Sequence, residues 1–171
     1  GLIATTTREQ DFVRDIFIAN THNYLLLFTS KGKVHWIKVY ELPESSRQAM
    51  GKAIVNLVTL QEGEKVTAYI PIKAFDDAHY LIMATKHGTI KKTSLASYSN
   101  PRNGGIIAIS LDENDSLIDV KLTDGNQEII LATRNGNAVR FNENDVRPTG
   151  RSSQGVRGIR LSQDDYVVGM V

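Results

Sequence analysis

Lysine and arginine are the side chains here whose number and spacing could do chemistry, and that chemistry is the neutralisation of phosphate. The candidate contacts fall into three groups: Lys31, Lys33, Arg47 and Lys52; Lys86, Lys91, Lys92 and Arg102; Arg134, Arg140, Arg151 and Arg157. Other constellations fall short. His22, His35, His79 and His87 have no metal-ligand spacing. There is no cysteine, so disulfides and thiolate sites are excluded. Ser152 and Ser153 have no neighbouring histidine to activate them. Gly104-Gly105 and Gly155-Val156-Arg157-Gly158 lack the lysine-serine pair and the following helix of a phosphate-cradling loop, so they read as turns. Trp36, Tyr40 and Tyr98 read as packing residues. The expectation is a chain without catalytic residues, metal or cofactor of its own.

The elements that must carry these cations repeat along the chain. Phe28-Thr29-Ser30-Lys31-Gly32-Lys33-Val34 matches Ala84-Thr85-Lys86-His87-Gly88-Thr89-Ile90 and Ala132-Thr133-Arg134-Asn135-Gly136-Asn137-Ala138. Each copy has an apolar run before it and a β-like run after it, which is a hairpin signal. Asn135-Gly136 predicts a type I′ turn, with positive φ at both central residues. A glycine-containing loop follows each hairpin, at Ser45 to Lys52, Ser99 to Gly105 and Thr149 to Gly155. Another β-like run comes next (Ala53 to Leu60, Ile106 to Leu111, Val156 to Leu161), then an acidic turn at Gln61 to Glu64, Asp112 to Asp115 and Ser162 to Asp165.

Each unit thus holds about four strands in roughly 50 residues, the period of a propeller-type blade. The units are 12–65, 66–116 and 117–165, with the start of a fourth at 166–171. No segment has sustained helical periodicity, though Pro43 to Met50 and Ser94 to Ser99 could each hold one helical turn. The fold class is all-β, a propeller-like array of about three four-stranded blades. Because a blade buries its faces only against neighbours, the expectation is a stretch of a longer array.

A net charge of +1 argues by itself against a nucleic-acid binder. Its distribution argues the other way. Residues 31–60, 78–111 and 134–161 carry +3, +4 and +4, whereas residues 112–133 carry −5. Stacked repeats would align the basic segments into one track and leave the acidic turns away from it. Such a track suits duplex DNA held by its backbone and bent, with little base readout. No apolar run is long enough to span a bilayer, and the first residues lack the features of a signal peptide, so a cytoplasmic location is expected.

The stretch Thr21 to Glu44 strongly resembles the C-terminal domain of the gyrase A polypeptide, as do Asn100-Pro101-Arg102-Asn103-Gly104-Gly105-Ile106-Ile107-Ala108-Ile109 and Asp145-Val146-Arg147-Pro148-Thr149-Gly150-Arg151. The resemblance runs over essentially the whole chain. It implies a β-pinwheel of about six blades that exchange strands. It also implies a rim that wraps DNA with positive handedness, so that an ATP-driven holoenzyme introduces negative supercoils. Partners implied are duplex DNA, the rest of the gyrase A polypeptide and the ATPase-bearing gyrase B polypeptide in an A2B2 assembly. ATP and Mg serve that holoenzyme, and the nucleoid is its implied location. The family's Gln-, Arg- and Gly-rich signature heptad is absent; the loops at Arg47 to Lys52, Arg102 to Gly105 and Arg151 to Gly158 resemble degenerate counterparts. Two other readings stay open: the related C-terminal domain of topoisomerase IV, and a protein-binding propeller scaffold.

Overall fold

Three hairpins turn at a shared Thr-x-x-Gly signature. The computed structural model describes residues 24–38 and 58–171. Strands β1 (Tyr24–Thr29) and β2 (Lys33–Lys38) form the first hairpin. The second joins β4 (Tyr80–Thr85) to β5 (Thr89–Ser94), and the third joins β8 (Glu128–Thr133) to β9 (Ala138–Asn142). In each, the glycine N–H donates to the carbonyl of the threonine three residues earlier, at 3.0, 3.1 and 3.1 Å. The same buried threonines, Thr29, Thr85 and Thr133, accept through Oγ1 from the amide that opens the returning strand. Positive φ falls on Gly32, Gly88 and Gly136, while Asn135 stays out of the left-handed region. The predicted type I′ turn at Asn135-Gly136 is therefore corrected. The three turns share one design, in which the threonine supplies the bonds and a lone glycine supplies the reversal.

Strand pairing then departs from sequence order. The remaining strands are β3 (Val66–Ile72), β6 (Ile106–Ile107), β7 (Leu117–Thr123), β10 (Val156–Arg157) and β11 (Val167–Met170). The sheets run β3-β1-β2-β6, β10-β5-β4-β7 and β11-β8-β9. Each four-stranded sheet takes its hairpin from one sequence unit and its two flanking strands from later ones. β6 reaches back to pair with Lys33 and Val34, and β10 with Thr89 and Ile90. The units of about 50 residues and the sheets therefore do not coincide: neighbouring units interlock by exchanging strands. The expected β-runs after the glycine loops shrink to two paired residues each among the described strands. The run expected at Ala53 to Leu60 lies mainly outside the described residues. A 3-10 turn at Leu95–Tyr98 fulfils the helical expectation for Ser94 to Ser99, and Pro43 to Met50 lies outside the described residues.

The sheets stack face to face. Leu26 and Phe28 of β1 meet Leu81 and Met83 of β4, with Leu117 and Val120 of β7. Ile82 and Ala84, on the opposite face of β4, pack with Ile129, Leu131, Val167 and Met170. β4 is thus buried on both faces, which explains its unbroken apolar run Leu-Ile-Met-Ala. Each of its fully buried large side chains contributes about 1.5–3 kcal/mol. β3 packs on β7 and β7 on β11, so these strands lie along the inner side of the stack. Among the described residues the short strands β6 and β10 and the glycine loops at Ser99 to Gly105 and Thr149 to Gly155 form the outer edge.

Candidate nucleic-acid interface

Among the described residues the outer edge is built by the glycine loops at Ser99 to Gly105 and Thr149 to Gly155, each lying along the flank of the preceding hairpin. Pro148 bridges Lys92, Thr149 N donates to Lys92 O at 2.9 Å, and Val156 pairs with Ile90. The loop hugs the strand because Gly155 has no side chain: a Cβ there would meet Ile90 O at 2.5 Å. Gly105 does the same in the first sheet, pressed against the His35 ring. His35 is buried; burial first, and then Lys33, hold its imidazole below the usual range despite the opposing pull of Glu64.

Arginines project from this edge. Arg102 is exposed on a turn closed by Gly105 N to Arg102 O at 3.0 Å. Arg151 is half-buried, and its Nη1 donates to Ile107 O at 2.7 Å, which ties its side chain to the backbone of β6. Arg157 is exposed on β10. Sequence reasoning missed Arg147 and Arg160, which are also exposed on the same loop. The signal was available: residues 98–111 and 147–161 contain no Asp or Glu.

The other expected contacts lie elsewhere. Lys91 and Lys92 are only 1% and 3% exposed, so they are corrected from phosphate contacts to internal fasteners. Adjacent strand residues point to opposite faces of the sheet, and here both faces are covered: Lys91 lies under Ala108 and Arg151, and Lys92 against Glu143 and Tyr80. Lys92 Nζ lies 3.2 Å from Glu143 Oε1 and 4.4 Å from the Tyr80 ring centre. Glu143 is itself buried and accepts from Thr123 Oγ1 and Gln127 N. Arg140 stands on the face of β9, 3.6 Å from Glu128, in the register position that Trp36 and Lys92 hold in their sheets. Trp36 donates from Nε1 to Tyr98 O at 2.8 Å, and Tyr98 packs edge-on to Phe28, so both are packing residues. Arg47, Lys52 and Tyr40 lie outside the described residues, as does His22.

Lys31, Lys86 and Arg134 sit at the hairpin turns, and there the acidic turns come close to them. The expectation that the acidic turns lie away from these cations is corrected. Asp115 Oδ1 accepts from His87 N at 2.9 Å, Asp165 Oδ1 from Asn135 N at 3.1 Å, and Glu64 Oε2 from Thr29 Oγ1 at 2.6 Å. The physical reason is capping: a carboxylate satisfies the amides or hydroxyl that the tight turn leaves open. Burial alone would raise the carboxyl groups of Glu64 and Asp165. The bonds from Thr29 and Gln61 to the one, and from Thr133, Asn135 and Tyr166 to the other, outweigh it and hold both below the ordinary range. Lys31 Nζ donates to Gln61 Oε1 at 3.2 Å, while Lys86 and Arg134 converge on the Tyr166 ring, at 4.9 and 5.7 Å from its centre. The hairpin-turn edge thus carries both signs of charge, and the glycine-loop edge carries arginine. Lys33 is half-buried on β2, where it pairs with Ile107.

Comparison with known proteins places this arrangement. The family model for the DNA gyrase C-terminal domain, β-propeller, matches residues 23–73, 79–124 and 127–171. The DNA gyrase A polypeptide of Haloquadratum walsbyi is 49% identical over 174 residues, covering 99% of this chain and 20% of that protein. The gyrase A polypeptide of Clostridium acetobutylicum is 51% identical over 158 residues, covering 92% and 19%. Among solved structures, the C-terminal domain of DNA topoisomerase IV superposes with a TM-score of 0.80 at 36% identity, and the DNA gyrase A C-terminal domain with 0.71 at 28%. Each of those two covers 88% of this chain and 47% of the other. The chain spans about a fifth of the length of the gyrase polypeptides it matches.

Proposed function

The chain belongs to the DNA gyrase A C-terminal domain family, and from that premise we propose that it binds duplex DNA along its outer edge, through the phosphates and without regard to sequence, and bends it. The observation that carries this is the set of five arginines, Arg102, Arg147, Arg151, Arg157 and Arg160, on two loops free of acidic residues. Guanidinium groups suit the task because they present a planar fork of donors to a phosphate. Among the described residues, two-residue strands and tight turns put no helix on that edge to enter a groove, so the contacts fix position rather than read bases. Bending a site of a few turns costs about 1–6 kcal/mol, which several phosphate contacts acting together can offset.

In the whole protein, DNA cleavage and ATP hydrolysis, with ATP and Mg, belong to the rest of the gyrase A polypeptide and to its ATPase partner. The role of this domain there is to wrap DNA so that strand passage introduces negative supercoils, in the cytoplasm and at the nucleoid. The fold likeness to topoisomerase IV favours a second reading, in which the domain holds DNA without imposing supercoiling. Assembled with the ATPase partner, a full-length gyrase A polypeptide carrying this chain should introduce negative supercoils into relaxed plasmid; relaxation alone would favour the second reading.

Binding itself is tested by fluorescence anisotropy with a labelled duplex over a range of salt. Neutralising about five phosphates gives a slope of log K against log salt near −4.5, and Arg102→Gln/Arg151→Gln/Arg157→Gln should bring it to about −2. Absence of binding at low salt, or a slope that the triple variant leaves unchanged, would overturn the proposal and favour a protein-binding scaffold.

A further inference from the structure

Withdrawing a lysine ammonium from water is costly unless it gains fixed partners. Lys91 is 1% exposed and has two. Its Nζ donates to Ala108 O at 2.7 Å and to the carbonyl of Arg151. These carbonyls lie on different units: Ala108 directly follows β6, and Arg151 lies on the next glycine loop. Further bonds lace the same two segments together. Arg151 Nη1 donates to Ile107 O, Ser110 N to Ser153 O at 3.1 Å, and Ser110 Oγ to Ser152 O at 2.6 Å. Tyr98 O–H donates to Ala108 O at 3.1 Å from beneath. The equivalent register positions in the other sheets hold His35 and Val139, opposite Leu27 and Leu131 as Lys91 is opposite Met83. A valine cannot make such a bridge, and the His35 ring is covered by Gly105. The ammonium bridge therefore marks this one joint among the described residues.

We propose that Lys91 is a positioning residue for DNA: its ammonium pins the Arg151 loop to the segment behind the Arg102 loop and so fixes the step between two successive phosphate contacts. This rests on the duplex-binding function proposed above. Lys91 itself never reaches a phosphate. A lysine suits the place because its donors radiate from a single nitrogen that two carbonyls can share, and the neutral amine keeps two N–H donors, so the bridge survives loss of the charge.

The test uses the intact chain and a duplex of about 30 base pairs, roughly three helical turns, with a donor dye and an acceptor dye at its ends. Lys91→Met should weaken binding about fivefold, the loss of one well-placed hydrogen-bonded joint. Energy transfer in the saturated complex should fall, because the loops no longer hold the duplex on one curve. The salt slope should stay at the wild-type value, because no phosphate partner has been removed. Unchanged energy transfer at saturation would overturn the proposal, even with a lowered melting temperature, since a merely structural lysine would reduce the folded fraction and not the bend. A salt slope shallower by about 0.9 would also overturn it, by making Lys91 a direct contact. Should Lys91→Met fail to fold, Ser110→Ala decides. It removes only the Ser110 to Ser152 bond at the same joint, and should lower energy transfer in the same direction by less; no change would count against the proposal. If the wild-type chain does not bind, or if Arg102→Gln/Arg151→Gln/Arg157→Gln binds as well as it does, the DNA function itself fails. A wild type that bends DNA, matched by an equally bending Lys91→Met, sinks only the role of Lys91.

Discussion

At the scale of single residues, Lys91 and Lys92 show how a cation is read wrongly from sequence and what it does instead. Burial, and then the Arg151 guanidinium, lower the Lys91 ammonium to about 7 from an ordinary 10.5. The other group packed on it, the Tyr98 hydroxyl, is pushed up by its own burial and so stays neutral. In the unfolded chain Lys91 keeps its proton up to about pH 10.5. Between pH 7 and 10.5 the unfolded chain therefore holds more protons than the folded one, and stability rises with pH; the gain is lost as pH falls towards 7. Urea denaturation at pH 7 and pH 9.5 should show wild type gaining on Lys91→Met by on the order of 2–3 kcal/mol. A gap that stays flat with pH would mean that Lys91 keeps its charge in the fold. Lys92 makes the opposite case, a buried cation facing a buried anion at 3.2 Å. Lys92→Met should cost about 3–5 kcal/mol by stranding the Glu143 charge, and Lys92→Met/Glu143→Gln should recover a large part of it. Calorimetric melts of the single and double variants measure this. Neither lysine was legible as internal. Two adjacent lysines on a strand point to opposite faces, and in a sheet with one wet face one of them would reach solvent. Only knowing that β5 is enclosed on both sides reverses the inference.

Elements were more legible than residues, for a physical reason: turns are decided locally and strand exchange is not. The Thr-x-x-Gly signature contains its own hydrogen-bonding partners, so the three hairpins and their register follow from a few residues. The two-residue strands β6 and β10 contain nothing that marks their partner. They form because Gly88 O accepts from Gly158 N at 2.8 Å and Gly32 O from Ala108 N at 2.7 Å, contacts between units far apart in sequence. The same contacts predict unequal tolerance among identical glycines. A Cβ on Gly88 would meet Ile159 O at 2.9 Å, whereas one on Gly136 meets nothing within 4 Å. Both residues have positive φ. Gly136→Ala should cost only the left-handed strain, about 1–2 kcal/mol, while Gly88→Ala should add a backbone clash and lose at least about 2–3 kcal/mol. Equal losses in thermal melts would show that the seating of the β10 segment on the turn is loose. The glycine loops were legible as loops, and Arg102, Arg151 and Arg157 as surface cations. What composition could not reveal is that the two described loops are each fastened along the flank of the hairpin before them.

At the scale of the whole molecule, the near-neutral charge separates in space along a different line from the one drawn in sequence. Cutting at the acidic turns places each hairpin in a basic segment. In the fold the carboxylates of those turns fold back as caps onto the hairpin turns that carry Lys31, Lys86 and Arg134, and Asp112 also faces the next glycine loop, where its Oδ1 accepts from Gln154 Nε2 at 3.4 Å and shares a cleft with Arg157 and Arg160. A polyanion passing the molecule is drawn to the glycine-loop edge and meets cancelling charges at the hairpin-turn edge, and within a Debye length of about 8–10 Å such cancellation is effective. Three paired charge reversals separate the two edges. Arg102→Glu/Arg157→Glu replaces two phosphate partners with two repulsions and should weaken duplex binding by more than tenfold while making the salt slope shallower by about 2. Lys86→Glu/Arg134→Glu should weaken binding only a fewfold at low salt, with that loss fading as salt rises, because a rim charge acts through the long-range field. Asp112→Lys/Glu113→Lys should strengthen binding slightly and leave the end-to-end distance of the bound duplex as it was. Anisotropy titrations and energy transfer on the same labelled duplex read all three. If the Lys86/Arg134 reversal abolished bending as completely as the Arg102/Arg157 reversal, the duplex would have to cross the hairpin turns as well, and the acidic caps beside them would then act as spacers that keep it from seating closer.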